Sequence, residues 1–273
     1  MLRLKKKYKF KPILKDWFFM LIKYSKYNSA GNNFILINCI KQKINFLKIL
    51  NLIIANPLVR ESDGLLFISN SKKYNFNLSF YNPDGSNSFC GNGSLCALYH
   101  LKENDFISKE ASFTSFGQKY TAEINDHITL KLKDIDDFKR LKNGYFINSG
   151  APHHVKFVDE ADNFNIENEA SLIRGLPFYK INDCNFNLVS DLNNNSVYVR
   201  TFEKGVERET LSCGTGAVAS VIAYALEKNK IINRVITKGG ELNVYFEIKN
   251  SIKFSKIFLR GNPKYEYTDE ILL

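Results

Sequence analysis

The chain has 273 residues, with 38 Lys and Arg against 28 Asp and Glu, for a formal net charge of +10. At 44% hydrophobic and 24% charged it has the composition of a globular protein, which excludes wholesale disorder and a collagen-like fibre. Its longest apolar runs fall far short of the ~20 residues a membrane-spanning helix requires, so no span and no membrane partner are expected.

The charge is uneven and carries little functional weight. Residues 1–19 hold seven bases and one acid, so +6 of the total sits in a leader. Thirty of the basic residues are Lys and Asn occurs 31 times, the bias of an AT-rich coding sequence. The apolar cluster at 17–22 is too short for a secretory signal. The leader is expected to be a loose tail, or to precede a biological start at Met20. Beyond it the bases are dispersed among acids, unlike the basic, aromatic-interleaved groove of a nucleic-acid binder. The five cysteines are odd in number and lack C-x-x-C spacing, which suggests free thiols in a reducing cytoplasm.

Taken in chain order, strands are expected at 21–27, 33–38, 64–69, 74–81, 112–124 and 128–133. Alternation of period two is clearest at Phe76, Leu78 and Phe80. Helices are expected at 42–55 and 91–103. A second set follows, with strands near 144–148, 153–158, 184–190 and 196–202 and helices near 166–174 and 214–228. Residues 242–260 read as a hairpin turning at Asn250-Ser251.

The second set reads as a repeat of the first. A polar turn followed by a strand at 29–38 resembles another at 149–159, and Asn32 and His153 within them lie 121 residues apart. Cys90-Gly-Asn-Gly opens one helix and Cys213-Gly-Thr-Gly opens another, 123 residues on. Two unrelated motifs shifted by nearly the same interval argue for duplication, and hence for two similar α/β lobes.

Each of these cysteines sits at a helix N-terminus. Unpaired backbone N–H groups and the positive dipole end there favour an anion and lower a thiol's pKa. The glycines leave the N–H groups open to a carboxylate. Two such sites related by duplication suggest two thiols facing each other across a cleft. That arrangement suits removal of a proton from one face of a stereocentre and delivery of another to the opposite face. Cys39, Cys96 and Cys184 lack the glycine pattern and read as small core residues. A thiol-redox role for Cys90 and Cys213 competes with this reading, although a disulfide between them would block such a proton transfer. His153-His154 has no further His or Cys at ligand spacing, so no metal site is expected.

The motifs also carry a family resemblance. Asn82-Pro-Asp-Gly-Ser with Cys90-Gly-Asn-Gly, Gly150-Ala-Pro-His153, and Arg200-Thr-Phe-Glu203-Lys-Gly followed by Glu209-Thr-Leu-Ser-Cys213-Gly-Thr-Gly resemble the signatures of the diaminopimelate epimerases. Gly31-Asn32-Asn33-Phe34 resembles that family's opening turn. The resemblance implies a mixed α/β (α+β) fold of two pseudo-symmetric lobes, each a barrel-like, mostly antiparallel sheet around a central helix. Residues 20–141 with 262–273 would form the first lobe and 142–261 the second, with the active site between them. It implies cofactor-independent, two-base interconversion of LL- and meso-2,6-diaminopimelate in lysine biosynthesis, without pyridoxal phosphate, by a cytoplasmic homodimer.

By the same resemblance Cys90 and Cys213 are the acid/base pair, and His153 and Glu203 assist them. Asn32, Asn82, Asn185 and Lys204 would contact substrate, while Gly91-Asn92 and Gly214-Thr215 would supply helix-end donors. The partner is then a small dicarboxylate rather than a nucleic acid. A proline or hydroxyproline racemase of the same fold is the alternative, and the polar set Asn82, Asn185 and Lys204 favours a substrate with a distal polar end. Three positions depart from the family pattern. Ala151 stands where Asn is common, with Asn148 expected to compensate. Lys204 replaces an Arg and loses its two-pronged grip. The usual Gly-Ile-Gly-containing loop is reduced to residues 60–64.

Overall fold

The computed structural model describes residues 20–249 and 253–273; the basic leader and the expected Asn250-Ser251 turn lie outside them. The first half of the chain runs β1 (Leu21–Ser29), β2 (Asn32–Asn38), α1 (Cys39–Gln42), α2 (Phe46–Ile54), α3 (Pro57–Arg60), β3 (Gly64–Ser69), β4 (Phe76–Tyr81), β5 (Asn87–Ser88), α4 (Gly91–Glu103), β6 (Glu110–Ser115), β7 (Gln118–Ile124) and β8 (Ile128–Lys131). The second runs β9 (Phe138–Leu141), β10 (Gly144–Asn148), β11 (Pro152–Phe157), α5 (Ile166–Arg174), α6 (Pro177–Ile181), β12 (Asn185–Asp191), β13 (Ser196–Glu203), β14 (Arg208–Thr210), α7 (Gly214–Lys228), β15 (Arg234–Thr237), β16 (Gly240–Lys249) and β17 (Lys253–Gly261). The last strand, β18 (Lys264–Leu272), returns to pair antiparallel with β1.

Strand pairing repeats from one lobe to the other. The parallel pair β2–β3, bridged by α1 to α3, matches β11–β12, bridged by α5 and α6. The parallel pair β4–β6, bridged by α4, matches β13–β15, bridged by α7. The antiparallel runs β6–β7–β8 and β15–β16–β17 match in turn, and β8 then pairs with β17 to join the two halves. Among the described residues the strands form one continuous sheet.

The two bridging helices are the centres around which the strands wrap. Residues 214–225 of α7 are all buried, and in α4 only Tyr99 and the last two residues escape burial. Helices buried on every side must be apolar all round, and the small Ala, Gly and Ser side chains let strands approach closely. Leu95 and Leu98 of α4 share one core with Val218 and Ile222 of α7, so the lobes are not separately packed. Outer helices α2 and α3 cover the other face of β3, which explains its uninterrupted Leu65-Leu66-Phe67-Ile68 run.

Local chemistry moves two expected boundaries. The apolar run at 112–124 is a hairpin, β6–β7, turned by Phe116 and Gly117 at positive φ. The helix expected over 42–55 begins only at Phe46, and a separate turn of helix, α1, precedes it. Asn38 caps α1, Lys43 ends it in the left-handed conformation, and Asn45 caps α2.

Candidate active site

Cys90 and Cys213 are the N-cap residues of α4 and α7, in nearly the same backbone conformation (φ −129°, ψ 116° and φ −138°, ψ 116°). The two helix ends abut. A Cβ placed on Gly91 would lie 3.7 Å from Gly214 Cα, and one on Gly214 would lie 3.1 Å from Asn92 Oδ1. A side chain on either glycine would also press on Leu259 Cδ2, 2.8 Å from a Cβ on Gly91 and 2.9 Å from one on Gly214. Both cysteines line one cleft of about 340 Å³ together with Asn32, Asp63, Asn82, Glu203 and Lys204, a size suited to a small molecule. A second cavity of about 390 Å³, beside Tyr27 and His100, contains neither of these thiols.

The sulfurs have different partners. Cys90 Sγ accepts the Gly93 backbone N–H at 3.3 Å, whereas Cys213 Sγ lies 3.4 Å from the Thr215 hydroxyl. The expectation that the helix ends lower both thiol pKa values is reversed, because burial overrides them. Desolvation pushes Cys90 up to about 12 against the pull of the Gly93 and Asn92 N–H groups. It pushes Cys213 well above its ordinary value, and the nearby charges of Glu203 and Cys90 add to this. Glu203 is itself pushed up to about 7, chiefly by burial, with the Asp63 carboxylate adding to the effect. The Thr210 hydroxyl, donating at 2.6 Å, and the Cys213 thiol hold it down in part.

A polar network ties the lobes together beneath the thiols. Asn92 Nδ2 donates to Asn32 Oδ1 at 2.8 Å and to Ser212 Oγ at 2.7 Å, and Ser212 donates to Asn32 at 2.9 Å. The corresponding contact in the second lobe is His153 Nε2 to Thr215 Oγ1, 2.9 Å. Asn32 and His153, and Asn92 and Thr215, occupy matching places in the two motifs, so the duplication extends to the hydrogen bonds.

The structure brings Cys90, Cys213, Glu203, Asn32, Asn82, Gly91, Asn92, Asn185, Lys204, Gly214 and Thr215 to the cleft wall. His153 is placed elsewhere. It is fully buried one layer behind the wall, against Asn187, Asn185 and Thr215, and is pushed down to about 4 by burial. It therefore reaches the cleft only through its neighbours. Asn148 does not compensate for Ala151, because its Oδ1 accepts the Gly150 N–H in the turn, outside the cleft wall. Asn82 donates to Ser86 at 2.9 Å, and Lys204 Nζ reaches Asp183 at 3.8 Å.

Sequence reasoning missed Asp63, Thr210, Ser212 and Asn187. Asp63, in the shortened loop, accepts the Asn33 N–H at 2.9 Å and pairs with Arg208 of the other lobe at 3.2 Å. No spacing signal marks it, since its partners are remote in sequence. Ser212 and Thr210 lie close to Cys213 in sequence, a signal that proximity to the motif offered. His154 points away from His153 on β11, toward Tyr179 and the Asn143 carbonyl. Cys39, Cys96 and Cys184 are buried free thiols in the cores. Among the described residues no group of three or more His, Cys, Asp or Glu side chains is placed to hold a metal ion, and no helix is long and apolar enough to cross a membrane.

Comparison of folds defines a class of α/β proteins that share this architecture. A PhzF-family phenazine biosynthesis protein of Bacillus anthracis superposes with a TM-score of 0.73 at 13% identity, over 93% of this chain and all of that one. A hydroxyproline epimerase from Agrobacterium vitis, solved with trans-4-hydroxy-L-proline, gives 0.65 at 13% identity over 93% and 92%. Within that class the chain belongs to the diaminopimelate epimerase family and is an amino-acid epimerase. It is 35% identical over 260 residues to the diaminopimelate epimerase of Flavobacterium psychrophilum, covering 92% of this chain and 100% of that one. The Hydrogenobaculum enzyme is 35% identical over 87% of this chain and 94% of its own. The family model for diaminopimelate epimerase matches residues 145–265.

Proposed function

We propose that the chain interconverts LL- and meso-2,6-diaminopimelate with Cys90 and Cys213 as the two bases. The observation that carries this reading is the meeting of two cysteine-capped helix ends in one cleft. One sulfur, as thiolate, takes the α-proton, and the C–H electron pair moves onto the α-carbon and its carboxylate. Backbone N–H groups at residues 91–92 and 214–215 face that developing charge. The opposite thiol then gives its proton to the other face, so one proton leaves and one arrives and no net oxidation occurs. Glu203, poised near neutral beside Cys213, exchanges the proton that the thiol must lose. Asn82, Asn185 and Lys204 hold the distal amino-acid end, with residues 20–141 and 262–273 on one side of the cleft and 142–261 on the other. Family membership supports a cytoplasmic homodimer acting in lysine biosynthesis, and sedimentation would read its oligomeric state.

The test is incubation of the enzyme with LL-diaminopimelate in deuterated water. α-Deuterium should enter as the meso form accumulates, and Cys90→Ala and Cys213→Ala should each abolish turnover. Full rates from either single variant would remove the two-base assignment. Activity on L-proline with none on diaminopimelate would overturn the substrate.

A further inference from the structure

Asn187, a residue outside the cleft, dictates which nitrogen of His153 carries the proton. Its Nδ2 donates to the Gly216 carbonyl at 3.0 Å and to Ser220 Oγ at 3.2 Å. A carbonyl can only accept, so this end of the amide is the nitrogen and Oδ1 is the end facing His153 Nδ1 at 3.0 Å. Nδ1 must therefore hold the hydrogen. The other side of the ring gives the same answer independently. Asn185 Oδ1 accepts the Lys204 N–H at 2.9 Å, which turns its amide nitrogen toward His153 Nε2 at 3.2 Å. Nε2 is thus an acceptor, with Asn185 and the Thr215 hydroxyl as its two donors.

The Thr215 hydroxyl has one hydrogen and two acceptors within reach, His153 Nε2 at 2.9 Å and Cys213 Sγ at 3.4 Å. We propose that it is a two-position donor, resting on His153 while Cys213 is a thiol and turning to the sulfur when Cys213 becomes a thiolate. Asn187 is the positioning residue that makes the resting position available. Asn185 continues to satisfy Nε2 after the turn, so neither state leaves the buried imidazole without a donor. Cys90 has no counterpart to this device, because its donor is a fixed backbone N–H. The groups facing Cys213 are Glu203 from β13, Cys90 from the end of α4 and, beyond Glu203, Asp63 and Arg208.

This inference deepens the role proposed for Cys213, and its test requires no turnover. Nitrogen-15 NMR of the four histidine side chains in the wild-type protein should show His153 neutral with its proton on Nδ1. Alkylation of Cys213 and Cys90 by iodoacetamide, followed by mass spectrometry against pH, reads each thiolate separately. Thr215→Val should slow Cys213 alkylation about tenfold at a given pH, the cost of losing one hydrogen bond to a charged group. Thr215→Ser should restore it. Asn187→Leu combined with Asn185→Leu removes both the acceptor for Nδ1–H and the amide donor facing Nε2, which permits the Nε2–H tautomer and commits the Thr215 hydroxyl to the sulfur. It should therefore speed Cys213 alkylation, with Cys90 unchanged throughout. A proton on Nε2 in the wild type overturns the proposal, as does an unaltered Cys213 rate in Thr215→Val or a parallel change at Cys90. Should that double variant fail to fold, the wild-type spectrum and the Thr215 pair decide alone. Absence of activity on diaminopimelate would leave these readouts intact, so the two readings fail separately.

Discussion

In the proposed mechanism, proton traffic at Cys213 depends on Glu203. Burial lifts its carboxyl to about 7 while the thiol beside it is lifted further, so the carboxyl is the stronger acid of the pair. A helix N-terminus alone would have made Cys213 easier to ionise than an ordinary thiol. The difference is one of magnitude. Partial charges at a helix end contribute about 0.3–1 kcal/mol when exposed, whereas full burial moves a pKa by up to about 3–5 units. Glu203→Gln keeps the shape and removes the base. The turnover number should fall about a hundred- to ten-thousandfold, and the ionisation near pH 7 should vanish from the pH–rate profile. A profile that keeps that ionisation in the variant would assign it to another group. Cys90 and Cys213 are legible in the sequence because the Cys-Gly-x-Gly pattern is contiguous; Asp63 is not, because its partners Asn33 and Arg208 come from distant segments.

At the scale of elements, the turns that join strands also join the lobes. The turn between β1 and β2 packs against the turn between β15 and β16 with no room to spare. A Cβ on Gly239 would sit 1.9 Å from the Ala30 carbonyl oxygen and 2.6 Å from its carbon. Backbone cannot move aside as a side-chain tip can, so Gly239→Ala should destabilise the fold by about 1–3 kcal/mol. Because Ala30 leads directly to Asn32 at the cleft floor, the Michaelis constant should rise as well. Thermal unfolding and steady-state kinetics would check both, and an unchanged melting temperature would refute the packing argument. The sequence shows this stretch only as a Lys238-Gly239-Gly240 turn. What Gly239 must avoid is visible only when the two lobes are assembled.

For the molecule as a whole, three buried histidines set the response to acid. His100, His153 and His154 are each pushed down to about 4 by burial, while an unfolded histidine titrates near 6.5. Between those values the unfolded chain holds three protons that the folded chain lacks, so stability declines as pH falls through this window. Glu203 acts in the opposite sense. Its folded carboxyl holds a proton that the unfolded one releases between about 4.5 and 7, so its contribution is lost as pH rises. Three outweigh one, and chemical denaturation should show a net loss of stability from pH 6.5 to about 4. A flat profile across that range would mean that these histidines are hydrated in solution. The single core shared by α4 and α7 predicts that this loss appears as one cooperative transition.

The sequence by itself determined the duplication, the central helices and the two cysteines at their caps, because each is encoded in contiguous residues with a fixed local geometry. Composition pointed away from a polyanion partner once the leader's share of the charge was set apart. Only the tertiary structure decided the direction of the thiol pKa values, the retreat of His153 behind the cleft wall and the parts played by Asp63 and Asn187. Burial and cross-lobe hydrogen bonding depend on what the rest of the chain places nearby. No local pattern records that.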